Sequence, residues 1–408
     1  MLFSAAILSL LGLAAALPSE SSIAERAVPV NPPRNLAYVQ TFRRVDGGNF
    51  SMLPLIQKPT QLTHLYISSL HINSDPKGMN INDNRPNDTI WNTMWSEVKQ
   101  LQKSGVKVMY MMGGAAPGSY PRLCSGPSRT VINESYYMPL YYELKYRKLD
   151  GIDLDIEEKV SINCPYALLQ RLNKDFGSNF ILTMSPVASE LQPSGYGLGG
   201  FSYKTLDYYA RNSAKPNGKI VNWFNAQFYN GWGDAGTPNG YNAIVQNGYS
   251  ADRVVLGTLT SQFNGGSGWK NITTIQKTVA TLRANYGTKF GGLNAWEYWD
   301  AGRSDKLTEP YKWIGAIGNS LFLTKNVFTK RQSAAVSQDF NGTITKATSP
   351  WPQLTDRLLK LNGGFQRLAT IQALNQTNGD ITRALGILNA GNLLSGLSKV
   401  PSIPGLPI

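Results

Sequence analysis

Residues 150–158 read DGIDLDIEE, five carboxylates within nine positions of a chain that is only 16% charged. Like charges this close repel, and ionised carboxylates that share a site force one another's pKa upward. Ile152, Leu154 and Ile156 alternate with Asp153, Asp155 and Glu157, the period-two pattern of a strand with two different faces. A calcium loop needs turn-forming residues between its acids and a glycine after them. Here the spacers are Ile and Leu, and Gly151 comes first. A solvated edge strand would mix Thr, Lys and Ser into its polar face. Three acids in line on one strand face therefore indicate shared chemistry at a strand end, with no metal.

Seven further runs rich in apolar and β-branched residues surround this one: 35–42, 62–72, 107–114, 180–189, 221–231, 254–261 and 292–301. Most are separated by helix-length spacers, among them IWNTMWSEVKQLQKSG before the third run and YALLQRLNKDFG before the fifth. Strand alternating with helix calls for a parallel sheet, and eight repeats call for an α/β fold of the (β/α)8 TIM-barrel type. An open doubly wound sheet is the alternative. In a barrel, function collects at the C-terminal ends of the strands. Glu157 ends the fourth run, Tyr229 and Asn230 end the sixth, and Trp296 and Tyr298 end the eighth. An inward Glu157 brings Asp155 and Asp153 with it, and an inward Tyr229 brings Gln227 and Asn225. Met112-Gly113-Gly114 leaves room at the end of the third strand. His71, which ends the second run, is a candidate sugar contact, whereas His64, Tyr110 and Met184 read as packing residues.

The 408 residues hold one barrel domain and a small addition. Aromatics make up 11% of the chain, with 20 Tyr and 9 Trp, which suits a protein that handles sugars. The net charge of +13 is scattered, without a Lys/Arg run or basic helix, so a nucleic-acid partner is not expected. Residues 1–16 form a short apolar run with an A-x-A end, as in a secretory signal, though without a basic start. No later stretch is long and apolar enough to span a bilayer, so no membrane partner is expected once the signal is removed. Asn49, Asn87, Asn133, Asn271, Asn341 and Asn375 each open an N-x-[ST] sequon, in keeping with a secreted, extracellular protein. Cys124 and Cys164 are either two buried thiols or one disulfide. Two Cys and two His make no zinc site, and there is no G-x-S-x-G elbow or Walker loop.

The stretch DGIDLDIE resembles the D-x-x-D-x-D-x-E signature of family 18 glycoside hydrolases, the chitinases and endo-β-N-acetylglucosaminidases. MMGG stands where that family often has S-x-G-G, with Met111 in place of the usual Ser, and QFYN (227–230) and the Trp of NAWEYW match its sixth and eighth strands. The segments SMLPLI, LTHLYISSLHIN, GVKVMYMMGGAAPGSY, DFGSNFILTMSPVAS and GGSGW are most similar to secreted fungal endo-β-N-acetylglucosaminidases, with class III chitinases as near neighbours. That resemblance implies cleavage of the GlcNAc-β1,4-GlcNAc core of high-mannose N-glycans, by a monomer and without a cofactor. It implies Glu157 as proton donor and the substrate's own 2-acetamido oxygen as nucleophile, forming an oxazolinium ion with retention of configuration. Asp155 is then expected to orient the acetamide, Asp153 to share a proton with Asp155, Tyr229 to bond the acetamide carbonyl, and Trp296 to floor the sugar. Gln227, Asn230, His71 and Tyr298 are the remaining expected substrate contacts. Sugar-binding barrels of the family that do not cut lack the terminal Glu, which this chain has.

The resemblance covers residues 35–322. Before it lie the signal (1–16) and a short propeptide or linker (17–34). After it come a linker (323–351) with the dibasic pair Lys330-Arg331, a helical extension (352–390) and a disordered tail (391–408). The helical extension has three short helical patterns and resembles a ubiquitin-associated three-helix domain.

Overall fold

The computed structural model describes residues 31–322 apart from 45, 46 and 127. The signal, most of the 17–34 segment, the linker, the three-helix extension and the tail all lie outside the described residues.

Eight strands form the fold: β1 (Arg34–Val39), β2 (His64–His71), β3 (Lys107–Gly113), β4 (Gly151–Asp155), β5 (Ile181–Met184), β6 (Trp223–Gln227), β7 (Val254–Leu259) and β8 (Gly292–Trp296). Each pairs in parallel with the next, and β8 returns to β1 through Arg34↔Gly292 to Ala37↔Ala295, so the sheet closes. It is a (β/α)8 barrel. Around it run α1 (Asn92–Lys103), α2 (Glu134–Arg147), α3 (Asn163–Phe176), α4 (Tyr203–Tyr209), α5 (Asn239–Gln246), α6 (Ile272–Tyr286) and α7 (Pro310–Phe322). The β1–β2 connection has only one helical turn, Pro54–Gln57.

The apolar runs overshoot the strands mainly at their C-terminal ends. The run 221–231 yields a strand only to Gln227, and 180–189 only to Met184. There the chain leaves the ladder to build the functional face, so apolar composition continues where pairing stops. Two antiparallel additions carry no helix-or-strand rhythm of their own. His71 pairs with Asn80 beyond β2, and Cys124–Ser125 pairs with Val131–Ile132 beyond β3. The second hairpin is bridged to the start of α3 by a Cys124–Cys164 disulfide, Cα to Cα 5.5 Å.

Side chains alternate across each strand, as the pleat requires. Outward residues such as Leu65, Ile67, Val108, Tyr110, Leu154 and Met184 pack under the helices, while Leu36, Tyr38, Tyr66, Met109, Met111 and Val255 fill the interior. The N-terminal end of the barrel is closed by Trp223. The Arg34 guanidinium lies 4.2 Å from its ring centroid and donates to the Asp252 carbonyl at 2.8 Å. His64 meets the same ring edge-on at 5.0 Å and is fully buried, and burial, helped by Arg34, holds its pKa well below the ordinary value. His64 is thus a neutral packing residue.

Candidate active site

Asp153, Asp155 and Glu157 project into the barrel at rising levels of β4 and the turn after it. Asp153 is fully buried and accepts hydrogen bonds from the Tyr38, Thr183 and Ser185 hydroxyls and from Asn225 Nδ2. Burial pushes its pKa up and these four donors oppose the rise. Asp155 lies one level higher. Burial first, then the charges of Glu157, Asp153 and Glu190, push its carboxyl well above the usual range. Glu157 sits two residues past the paired part of β4 and is partly exposed.

Gln227 Nε2 joins the upper two acids, lying 3.1 Å from Asp155 Oδ1, 3.1 Å from Glu157 Oε1 and 2.9 Å from the Ser185 carbonyl. An amide has two hydrogens for these three acceptors. A proton on one of the carboxyl groups relieves the shortage, in keeping with the raised pKa of both. Burial is what lifts Glu157, with Gln227 opposing. The mutual repulsion expected of the acidic cluster falls on the more deeply buried Asp155.

The hollow beside these acids is lined by Tyr38, Met111, Asp155, Tyr229, Asn294 and Trp296, among others. Trp296 ends β8 and keeps part of its ring exposed, 5.7 Å from that of Tyr38. Tyr229 follows β6 and is 8% exposed. The glycines at the end of β3 allow two backbones to meet here. Gly113 has φ +102°, and a Cβ on it would stand 2.1 Å from the Asp155 carbonyl oxygen. The room they leave is therefore taken first by the backbone of β4.

Three expected sugar contacts do not line this hollow. Tyr298 is 1% exposed and packs on Phe50 at 5.4 Å, because the chain turns outward after Trp296. It belongs to the core and has no face to offer a ligand. Asn230 has φ +55°, and its Oδ1 accepts from the backbone N–H groups of Gly266 and Ser267, tying the β6 and β7 loops together. His71 is half-buried in the hairpin with Asn80 and does not line the hollow. Conversely, Tyr38, Thr183 and Ser185 escaped the sequence reading. Their signal was present as polar residues at every second position of otherwise apolar runs. At the rim, Tyr196 and Trp232 meet at 5.8 Å from the loops after β5 and β6.

Two carboxyl groups of raised pKa beside an aromatic ring, at the C-terminal face of a barrel, suit the breaking of an acetal between two sugars. Residues 34–326 match the model of the glycosyl hydrolases family 18, and the chain belongs to that family. Among solved structures it is similar to a fungal endo-β-N-acetylglucosaminidase of family 18, with 36% identity, a TM-score of 0.65, and coverage of 72% of this chain and 99% of that one. The chitinase ChiC of Aspergillus fumigatus is also 36% identical, with a TM-score of 0.61 and coverage of 74% and 99%. Chitinase 2 of Rhizopus oligosporus is 27% identical over 214 residues, which span 50% of this chain but only 36% of that protein.

Proposed function

We propose that the protein is a secreted endo-β-N-acetylglucosaminidase that cuts the GlcNAc-β1,4-GlcNAc core of high-mannose N-glycans with retention of configuration. The observation that carries the mechanism is the Asp155–Gln227–Glu157 triangle beside the Trp296 hollow. Only Glu157 of the three in-line acids is near enough to solvent to meet a leaving oxygen, and burial raises its pKa, the direction that suits a proton donor. Asp153 is saturated by four donors and cannot act as a nucleophile. Asp155 lies in the hollow with Tyr229, where a 2-acetamido group held between them attacks the anomeric carbon above Trp296. Glu157 gives its proton to the departing sugar and later takes one from water, which opens the oxazolinium ion.

The likeness to the fungal endo-β-N-acetylglucosaminidase supports the glycan substrate. A chitinase is the second reading, supported by the similarity to ChiC. Products decide between them. Incubation with a high-mannose glycoprotein is expected to release the intact glycan and leave one GlcNAc on asparagine, both read by mass spectrometry, with slow turnover of chito-oligosaccharides. Rapid chitin degradation without deglycosylation would establish the chitinase. Glu157→Gln is expected to lower either activity by about 1,000-fold.

A further inference from the structure

Glu157 lies beyond the last paired residue of β4, so the strand ladder does not fix it. The segment 157–160 is instead gripped from two sides. On one side the Glu158 carboxylate accepts the backbone N–H groups of Gly118 at 2.8 Å and Tyr120 at 3.2 Å, from the loop after β3. On the other the Val160 N–H donates to the Gly199 carbonyl at 3.0 Å, and Gly200 lies against the stem of Lys159. Gly199 belongs to the glycine-rich loop Gly195-Tyr196-Gly197-Leu198-Gly199-Gly200, which has no helix or strand to hold it.

Glu190 holds that loop. It stands on the helical turn Ala188–Leu191 after β5 and is 4% exposed. Its Oε1 accepts the Gly199 N–H at 2.7 Å, and its Oε2 accepts the Val187 N–H at 3.2 Å. The loop wraps the side chain closely, for a Cβ on Gly197 would stand 2.1 Å from Glu190 Cγ. Gly199 is thereby held at both ends, its N–H by Glu190 and its C=O by Val160. A carboxylate buried this deeply is costly unless its oxygens are bonded, and here both are.

We propose that Glu190 is a positioning residue for proton donation: through Gly199 it fixes the 157–160 segment and so aims Glu157 at the leaving oxygen. It touches no substrate itself. The proposal rests on Glu157 being the acid. A glutamine at position 190 can accept only one of the two N–H groups and turns its NH2 on the other, which frees one end of the loop.

The test separates an aimed acid from mere stability by changing the leaving group. A 4-nitrophenolate departs with little help from a proton, whereas a sugar hydroxyl needs one. Wild type, E190Q, G197A and E157Q are compared on a high-mannose glycan ending in GlcNAc-4-nitrophenol and on the same glycan linked to GlcNAc-Asn, with the matching chitotriose pair run alongside. On the sugar-linked substrate E190Q is expected to lose about 30-fold in kcat, with KM within about threefold. On the nitrophenyl substrate the loss is expected to stay below about fivefold. G197A, which displaces the same side chain from the loop side, is expected to follow E190Q and carries the comparison if E190Q does not fold. Equal losses on both substrates, or E190Q and G197A both within about twofold of wild type while E157Q is dead, overturn the proposal. If E157Q itself keeps activity on the sugar-linked substrate, the acid assignment falls and the proposal falls with it.

Discussion

In the proposed mechanism the chemistry turns on Asp155, which is deeply buried, repelled by Glu157 and Asp153, and still bonded to Gln227. Forming the oxazolinium ion needs a negative charge beside the acetamide N–H, whereas capturing a ready-made oxazoline needs little of it. Asp155→Asn is expected to lower hydrolysis by at least about 100-fold while transfer from a synthetic sugar oxazoline to a GlcNAc acceptor persists, measured as product yield. A glycosyl ester on any carboxyl of the protein would refute the scheme. The three acids were legible in the sequence because strand alternation and an acidic face are both local patterns. The hydroxyls that hold Asp153 were not, since Tyr38, Thr183 and Ser185 come from two other strand runs and meet only when the barrel closes. Tyr298 misled for the opposite reason: it stands two residues from Trp296, but beyond the end of β8 the period-two rule no longer says which way a side chain faces.

At the scale of elements, the strand count and order were readable from the rhythm of runs and spacers, while the functional face was not. The hairpin Cys124–Ser125/Val131–Ile132 is short and interrupts the passage from β3 to α2, and the disulfide adds a covalent tie to α3 beside the bond from Asn163 Nδ2 to the Ser128 carbonyl. The bridge spans 40 positions of sequence. In the chain-entropy account a loop of that length stabilises by about 4 kcal/mol. Cys164→Ser is expected to lower the melting temperature by several degrees, and reductant is expected to do the same to wild type and nothing to the variant. An unchanged melting temperature in both would show that the hairpin is held by its packing alone.

The molecule as a whole carries its acids uphill. Burial pushes Glu190 up to about 7 from an ordinary value of 4.5, and Asp155, Asp153 and Glu297 are raised by the same cause. The unfolded chain releases the Glu190 proton near its ordinary pKa and the folded one holds it to about 7, so the native state binds more protons in between. Stability therefore falls as pH rises through that window, by about 3 kcal/mol for Glu190 alone. Unfolding in denaturant between pH 4.5 and 8 is expected to show this decline, and a shallower one in E190Q. A stability that stays flat over the same range would mean that these carboxyls are ionised as readily in the fold as outside it, and one that rises that they ionise more readily there. The closed end of the barrel gives the same acids a further property. Arg34 and His64 pack on Trp223 at the N-terminal end, while Asp155 lines the hollow at the other end. Asp153 is fully buried, and its oxygens meet the hydroxyls of Tyr38, Thr183 and Ser185 and the amide of Asn225, so a proton it gains or loses passes through these partners. In the proposed mechanism a sugar seated on Trp296 would close the open side, so that between binding and release the column would exchange protons only with the substrate and the attacking water.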